Sequence, residues 1–278
     1  MKNILKIMLM MITIFTIAGS AVYAAEIPVS DQDQLITSSD WTEISNLQDE
    51  MKKEEPDVTI DYDKALKVYV DCNLIKLQTA DTKKLTSALE SANYVWVIPF
   101  KMEKTYGMFT VAKGLPLSEE AKSVLTKAEQ EEVKNHAGKW MITETAEHTV
   151  EPYYDILLEK REALSDCTRV VLVGSQPGMR QPVALGMDDE TARIWISLGY
   201  QYPVMEKIPE TQNVESGVYS FESVADISDT YIEDSEVSTG AGVQSRSSMK
   251  YVAGIGIIVI GSILILSVLK KKKLEDYE

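Results

Sequence analysis

Two histidines, two cysteines and 43 acidic residues are what this chain offers for catalysis or metal binding, and their spacing supports neither. His136 and His148 form no His-Glu-x-x-His pattern and Cys72 and Cys167 no Cys-x-x-Cys pair, so a zinc site is not expected. His136 reads instead as a helix C-terminal residue, where a cation-capable side chain meets the negative end of the dipole. Asp57, Asp61 and Asp63, and separately Asp188, Asp189 and Glu190, could offer oxygens to calcium; neither group has the spacing or the glycine of an EF-hand loop, and both read as solvated loops. Paired carboxylates for glycoside hydrolysis could be drawn from many of these acids, and nothing selects a pair. Gly174-Ser175-Gln176-Pro177-Gly178 opens like a nucleophile elbow but carries Gln176 at its centre, and no helix is expected after it. The residues thus name no catalytic, cofactor-binding or metal position, and no cofactor.

Cys72 and Cys167 each follow an aspartate at the edge of a β-like run. Three readings stand for them: an exported disulfide closing a loop of about 95 residues, two separate buried thiols, or a reactive nucleophile. Trp41, Trp96, Trp140 and Trp195 could line a sugar- or peptide-binding face, but three of them lie in strand-like, β-branched surroundings and read as core. Tyr200 and Tyr202, beside Gly199 and Pro203, are the expected exposed aromatic pair.

The elements that position these residues lie between two apolar segments. Residues 1–24 read as a signal peptide, with Lys2 and Lys6 ahead of an apolar run and the small-residue close Val22-Tyr23-Ala24. Tyr251 to Leu269 is free of charge and about 29 Å long as a helix, close to the hydrocarbon thickness, and four lysines, Lys270 to Lys273, follow it at once. A transmembrane helix over 251–269 with a cytoplasmic tail over 270–278 is therefore expected, the remainder lying outside. The near-match Glu236-Val237-Ser238-Thr239-Gly240 lacks the Leu-Pro half of a sortase site.

The chain carries −15; without the +2 of the leading lysines and the +1 of the tail, the outer part carries −18, which excludes nucleic acid as a partner. Within it, 25–38 is polar and expected to be mobile, 39–208 to form one α+β domain, and 209–250 an acidic, Ser-rich stalk, with Val218, Tyr219, Phe221, Val224 and Ile227 as an apolar island able to pack back. Leu66, Val68 and Val70 alternate as a half-buried strand, and Tyr94 to Ile98 read as a central strand ended by Pro99. Asp40 with Glu43 predicts a capped helix through Met51, and Ser118 opens a single long helix whose Val124, Leu125, Ala128 and Val133 share a face. The order strand, helix, strand, strand occurs twice, which predicts helices on a mixed or antiparallel sheet, in the form of two β-α-β-β units if the echo is a repeat.

The function these observations favour is a single-pass, type I surface protein of the plasma membrane. Its ectodomain would bind a protein, peptide or cell-wall ligand, as an accessory subunit of a membrane complex in one version. An exported hydrolase using acidic residues is the alternative. No enzymatic activity is assigned.

Overall fold

The computed structural model describes residues 27–148, 151–174, 176, 179, 182–198, 208 and 213–226. Ten strands are seen: β1 (Thr59–Ile60), β2 (Leu66–Tyr69), β3 (Tyr94–Lys101), β4 (Tyr106–Lys113), β5 (Trp140–His148), β6 (Arg169–Val173), β7 (Val183–Met187), β8 (Ala192–Ser197), β9 (Asn213–Glu215) and β10 (Val218–Ser220). The helices are α1 (Trp41–Ile44), α2 (Gln48–Glu54), α3 (Thr82–Glu90), α4 (Glu119–Val124), α5 (Lys127–His136), α6 (Tyr153–Glu159) and α7 (221–226). None of the described helices is long and apolar enough to cross a membrane, and 251–269 lies outside the described residues.

The α+β expectation holds, with helices laid on one large mixed sheet. Its strand order is β5-β4-β3-β2-β6-β7-β8-β10-β9, with β1 also pairing β3. Every pairing is antiparallel except that of β2 with β6 at the centre, where Val68 lies beside Leu172 and Tyr69 beside Val173. The two β-α-β-β runs are not equivalent in this sheet. In the first, β2, β3 and β4 are neighbours; in the second, β5 stands at the far edge while β6, β7 and β8 lie across the centre.

Alternation along each strand sorts side chains onto two faces. On one face, Trp96, Ile98, Phe100, Phe109 and Val111 meet Leu35, Ile44 and Met51 from the N-terminal helices. Further along that face, Val171, Leu185 and Trp195 meet Leu85 and Leu89 of α3 with Phe221 and Val224 of α7. The opposite face carries Val68, Val97, Leu172 and Ile196 against Tyr153 and Leu157 of α6.

Several local expectations are corrected. β3 runs through Pro99, which faces Met108 in the register. The Pro99 carbonyl accepts from the Asp61 amide at 2.9 Å, so its nitrogen points to the same edge, in the gap where β3 changes partner from β2 to β1 and no ladder bond is lost. The long helix after Ser118 breaks between α4 and α5 because Thr126 and Glu129 form a reciprocal capping box that starts a new helix. The face expected to be buried is consequently not: Val124 is 66% exposed, whereas Val133 is buried. Asp40 caps nothing and sends its carboxylate to the sheet instead.

Both expected domain boundaries also move. Residues 27–37, expected to be mobile, wedge between β2 and β6 where those strands diverge, with Val29 bridged to Val170 and Gln34 to Leu66. Ile27, Val29, Asp33 and Leu35 are buried there. At the other end, the apolar island in the expected stalk packs back as foreseen: Val218 and Tyr219 are in β10, and Phe221 and Val224 in α7 are buried. Ile227 lies outside the described residues.

Gly107 sits opposite Phe100 in the β3–β4 ladder, and the Phe100 ring occupies the space a Cβ there would need. Gly107→Ala is expected to cost about 1–3 kcal/mol as overpacking, read as a lowered urea midpoint. An unchanged midpoint would mean the ring moves aside freely.

Candidate functional site

Three irregularities converge at one place on the sheet. After β2 the chain turns through Ile75–Leu77 and reaches Gln78 in the left-handed region, at φ 49° and ψ 40°. That conformation costs an L-residue roughly 1–2 kcal/mol and must be held by its surroundings. Gln176, 3% exposed, holds the start of this loop from across the parallel pair. Its Oε1 accepts from the Leu74 amide at 3.1 Å, and its Nε2 donates to the carbonyls of Cys72 at 2.6 Å and Gly174 at 2.9 Å. The end of the loop is tied to β8, where the Ala192 amide donates to the Ala80 carbonyl at 2.7 Å.

The second irregularity is in β8. Gly186 faces Ile194 and Met187 faces Ala192, leaving Arg193 as the extra residue of a β-bulge. Its guanidinium is aimed at Asp188, with Nε and Nη2 each 2.6 Å from Oδ2. The backbone amides of Thr191 and Glu190 also donate to Asp188, and they, with Arg193, hold its carboxyl below the usual carboxylate range. Asp188 in turn raises the Arg193 guanidinium further. The third element is α7, which enters from Ser220; the Ser223 amide donates to the Ser220 hydroxyl at 3.1 Å. Beneath it lies Trp195, fully buried and 5.9 Å from the Phe221 ring.

Between these walls runs an open groove of about 970 Å³, walled by Ile75 and Gln78 on one side, Arg193 on the second, and Phe221, Glu222 and Asp226 on the third. Glu222 and Asp226 are exposed one turn apart on α7. Neither wall was visible as a site in the sequence, since bulge and left-handed turn are products of pairings between distant segments.

A second polar cluster lies buried at the middle of the same face. Asp33, 2% exposed, accepts from the Tyr69 hydroxyl at 2.7 Å and from Arg169 Nη2 at 2.9 Å, and Lys67 Nζ is 3.8 Å away. Lys67 also lies over the rings of Tyr94 and Trp96, at 4.5 and 5.2 Å. Asp40 accepts from the Tyr94 hydroxyl and from Trp96 Nε1 at 2.9 and 3.0 Å. Burial lowers the Lys67 ammonium pKa and raises those of the Tyr69 and Tyr94 phenols, the latter two reinforced by Asp33 and Asp40. Two cations face two carboxylates and clamp the wedge onto the sheet, with Arg169 Nε left without an acceptor among the described residues.

The other candidates are scattered. His136 ends α5 ahead of Gly138, whose φ is 76°. Asp61 lies 3.7 Å from Lys64, and Asp189 accepts from the Thr168 hydroxyl. Among the described residues no group of three or more His, Cys, Asp and Glu is arranged to hold a metal ion. Trp96, Trp140 and Trp195 are core, and Trp41 meets Tyr62 edge-on at 5.1 Å. Ser175, Pro177, Gly178, Tyr200 and Tyr202 fall outside the described residues, as does the side chain of His148.

Cys72 follows β2 and Cys167 precedes β6; because those strands are parallel, the thiols sit at opposite ends, and they pack against opposite faces. Both are free. Burial, helped by Asp71 and Asp166, pushes Cys72 up to about 12 and Cys167 up to about 11. Thiols held protonated are poor nucleophiles. The same shifts predict alkaline sensitivity. Unfolded thiols ionise near pH 9 while the folded ones keep their protons, so stability is complete below about pH 9 and falls as pH rises toward 11 to 12. Tyr69, Tyr94 and Tyr153 act in the same direction, and Lys67 in the opposite one. The urea midpoint should drop between about pH 8.5 and 10.5; a constant midpoint would contradict this.

No protein-family model, curated protein or solved structure matches this chain.

Proposed function

We propose that this chain is a type I single-pass protein of the plasma membrane whose outer domain binds a peptide or protein segment in the groove between the 75–80 loop and α7. The topology rests on the sequence: a signal over 1–24, a transmembrane helix over 251–269 and a basic cytoplasmic tail over 270–278. In this reading the tether is the stretch from 227 to 250, so it begins directly after the groove wall. Acting as an accessory subunit of a membrane complex fits the same arrangement.

The groove carries the binding part of the proposal. A bulge that re-aims an arginine and a left-handed glutamine both border it, and such departures from regular structure cluster at binding sites. The hydrolase alternative needs two carboxyl groups flanking a bond across a cleft, about 5 to 9.5 Å apart. Among the described residues, the acids of the groove, Glu222 and Asp226, share one short helix, and the facing walls present Gln78, Thr191 and Arg193. That favours binding over hydrolysis.

A photo-crosslinking residue placed at Glu222 on intact cells tests this, with a second placed at Val124, 66% exposed on the helical arm formed by α4 and α5, as the rival surface. An adduct from position 222 and none from position 124 is expected. Adducts from position 124 alone would move the binding surface to the arm.

A further inference from the structure

One side of the sheet ends in a long strand whose outer edge is unpaired. β5 runs over nine residues, Trp140–His148, and bonds β4 along its length, whereas β9 at the opposite end has three. Among the described residues, no backbone bond or bridge joins 140–147 to an element other than β4. Met141, Ile142 and Thr145 are half-buried along this edge, and Glu144 and Glu147 are exposed. A row of unpaired amides and carbonyls is a template for a further strand, and proteins blunt it with proline, lysine, bulges or inward charges. Here 140–148 holds no proline, glycine or lysine. Its one bulge and its two glutamates instead select what can pair.

The register of β5 on β4 slips between Thr110 and Val111, which leaves Thr143 as the extra residue. The strand changes phase there. Trp140, Ile142, Thr145 and Glu147 share the face of Phe109 and Val111, while Met141, Glu144 and Ala146 share that of Met108. Residues directly opposite in an antiparallel pair must share a face. The longest register in which a second β5 meets this rule about a twofold axis sets Ile142 against the partner's Thr145, Met141 against the partner's Ala146 and Trp140 against the partner's Glu147. A shift of one residue would set Glu144 on itself, and it would also oppose Ile142 to Ala146, which lie on different faces. In the matching register no like charges are opposed, because Glu144 faces Thr143. Glu147 then arrives beside the Trp140 ring, and Lys113 Nζ lies 5.4 Å over that ring. Neither Lys113 nor Glu147 has an ion pair within the chain among the described residues. The edge is thus complementary to itself in face, charge and register.

We propose that two copies of this chain pair β5 to β5, antiparallel, joining two ten-stranded sheets into one, with Lys113 of each copy against the partner's Glu147. Main-chain bonds supply the attachment and the twin charge pairs fix the register. The proposal does not rest on the groove, which lies at β8 toward the other end of the sheet and stays open in such a dimer.

Full-length chains in mild detergent, one batch carrying I142C and another T145C, test the register when mixed and oxidised. Facing Cα atoms of an antiparallel pair are about 4.5–5.5 Å apart, within reach of a disulfide, whereas 142 and the partner's 142 are about 10 Å out of step. The mixture should give at least about fivefold more linked dimer than either variant alone. Wild type, with its two free native thiols, is the blank. Charge variants at exposed Lys113 and Glu147 guard against a cysteine variant that fails to fold. K113E and E147K should each weaken self-association at least about tenfold in sedimentation, and K113E/E147K should return it to within about threefold of wild type. That rescue cannot arise inside one chain, because Glu147 faces Gly107, six positions and about 20 Å along β4 from Lys113. A wild-type chain that stays monomeric would overturn the proposal. A dimer of equal strength in all three charge variants would belong to another surface and overturn it too. Linkage of I142C alone as strong as that of the mixture would contradict the register and the charge match with it.

Discussion

Replacing Asp33 by alanine should lower the stability of the folded domain by roughly 3–5 kcal/mol, the range seen when one partner of a buried ion pair is removed. The carboxylate is 2% exposed and receives the Tyr69 hydroxyl and Arg169 Nη2, with Lys67 Nζ 3.8 Å away. Without it, Lys67 and Arg169, whose side chains are 11% and 17% exposed, lose the carboxylate they share, and a phenol loses its acceptor. The wedge formed by residues 27–37 also loses its clamp, so Val29 and Leu35 have less to hold them between β2 and β6. Urea unfolding of Asp33→Ala beside Asp33→Asn separates the parts. Asparagine keeps an acceptor for Tyr69 but loses the charge, and should fall between alanine and wild type. A loss below about 1 kcal/mol for alanine, the range of an exposed pair, would mean that water compensates the cations.

Trp195→Ala should cost about 3–5 kcal/mol, as large-to-small changes of a buried tryptophan do. The residue is fully buried among Leu185, Leu85 and Phe221, so both the sheet and α7 lose a partner. The effect should reach the groove, because Phe221 rests on this ring. Phenylalanine at the same position makes a sharper test. Trp195 Nε1 has no acceptor among the described residues, whereas Trp96 Nε1 bonds Asp40 at 3.0 Å. Trp195→Phe therefore removes an unpaired donor along with volume, while Trp96→Phe leaves Asp40 with one donor fewer. Thermal unfolding should place Trp96→Phe clearly below Trp195→Phe; the reverse order would contradict the hydrogen-bond assignment.

What the sequence made legible was local. The alternation of Leu66 and Val68 gave β2, and the β-rich run from Tyr94 to Ile98 gave the first part of β3. Pairing across distance was not legible. Ser30 to Gln34 reads as polar and mobile, yet it is fixed because Asp33 finds Tyr69 36 residues away and Arg169 136 residues away. The helical arm was misread for a different reason. Thr126 with Glu129 was a capping signal inside what periodicity presented as one helix, and the cap prevailed over the apolar stripe. Arg193 and Gln78 carry no local mark either. One is set apart by the register of β7 against β8, the other by a loop tied at one end to Gln176 and at the other to β8.

The proposed display of this domain on the outer surface carries every inference about what it meets. Protease added to intact cells measures that directly. The account predicts release of a folded fragment ending ahead of Tyr251, with Asp33, Trp195 and α7 inside it. A chain that stays full length until the membrane is broken would contradict the orientation.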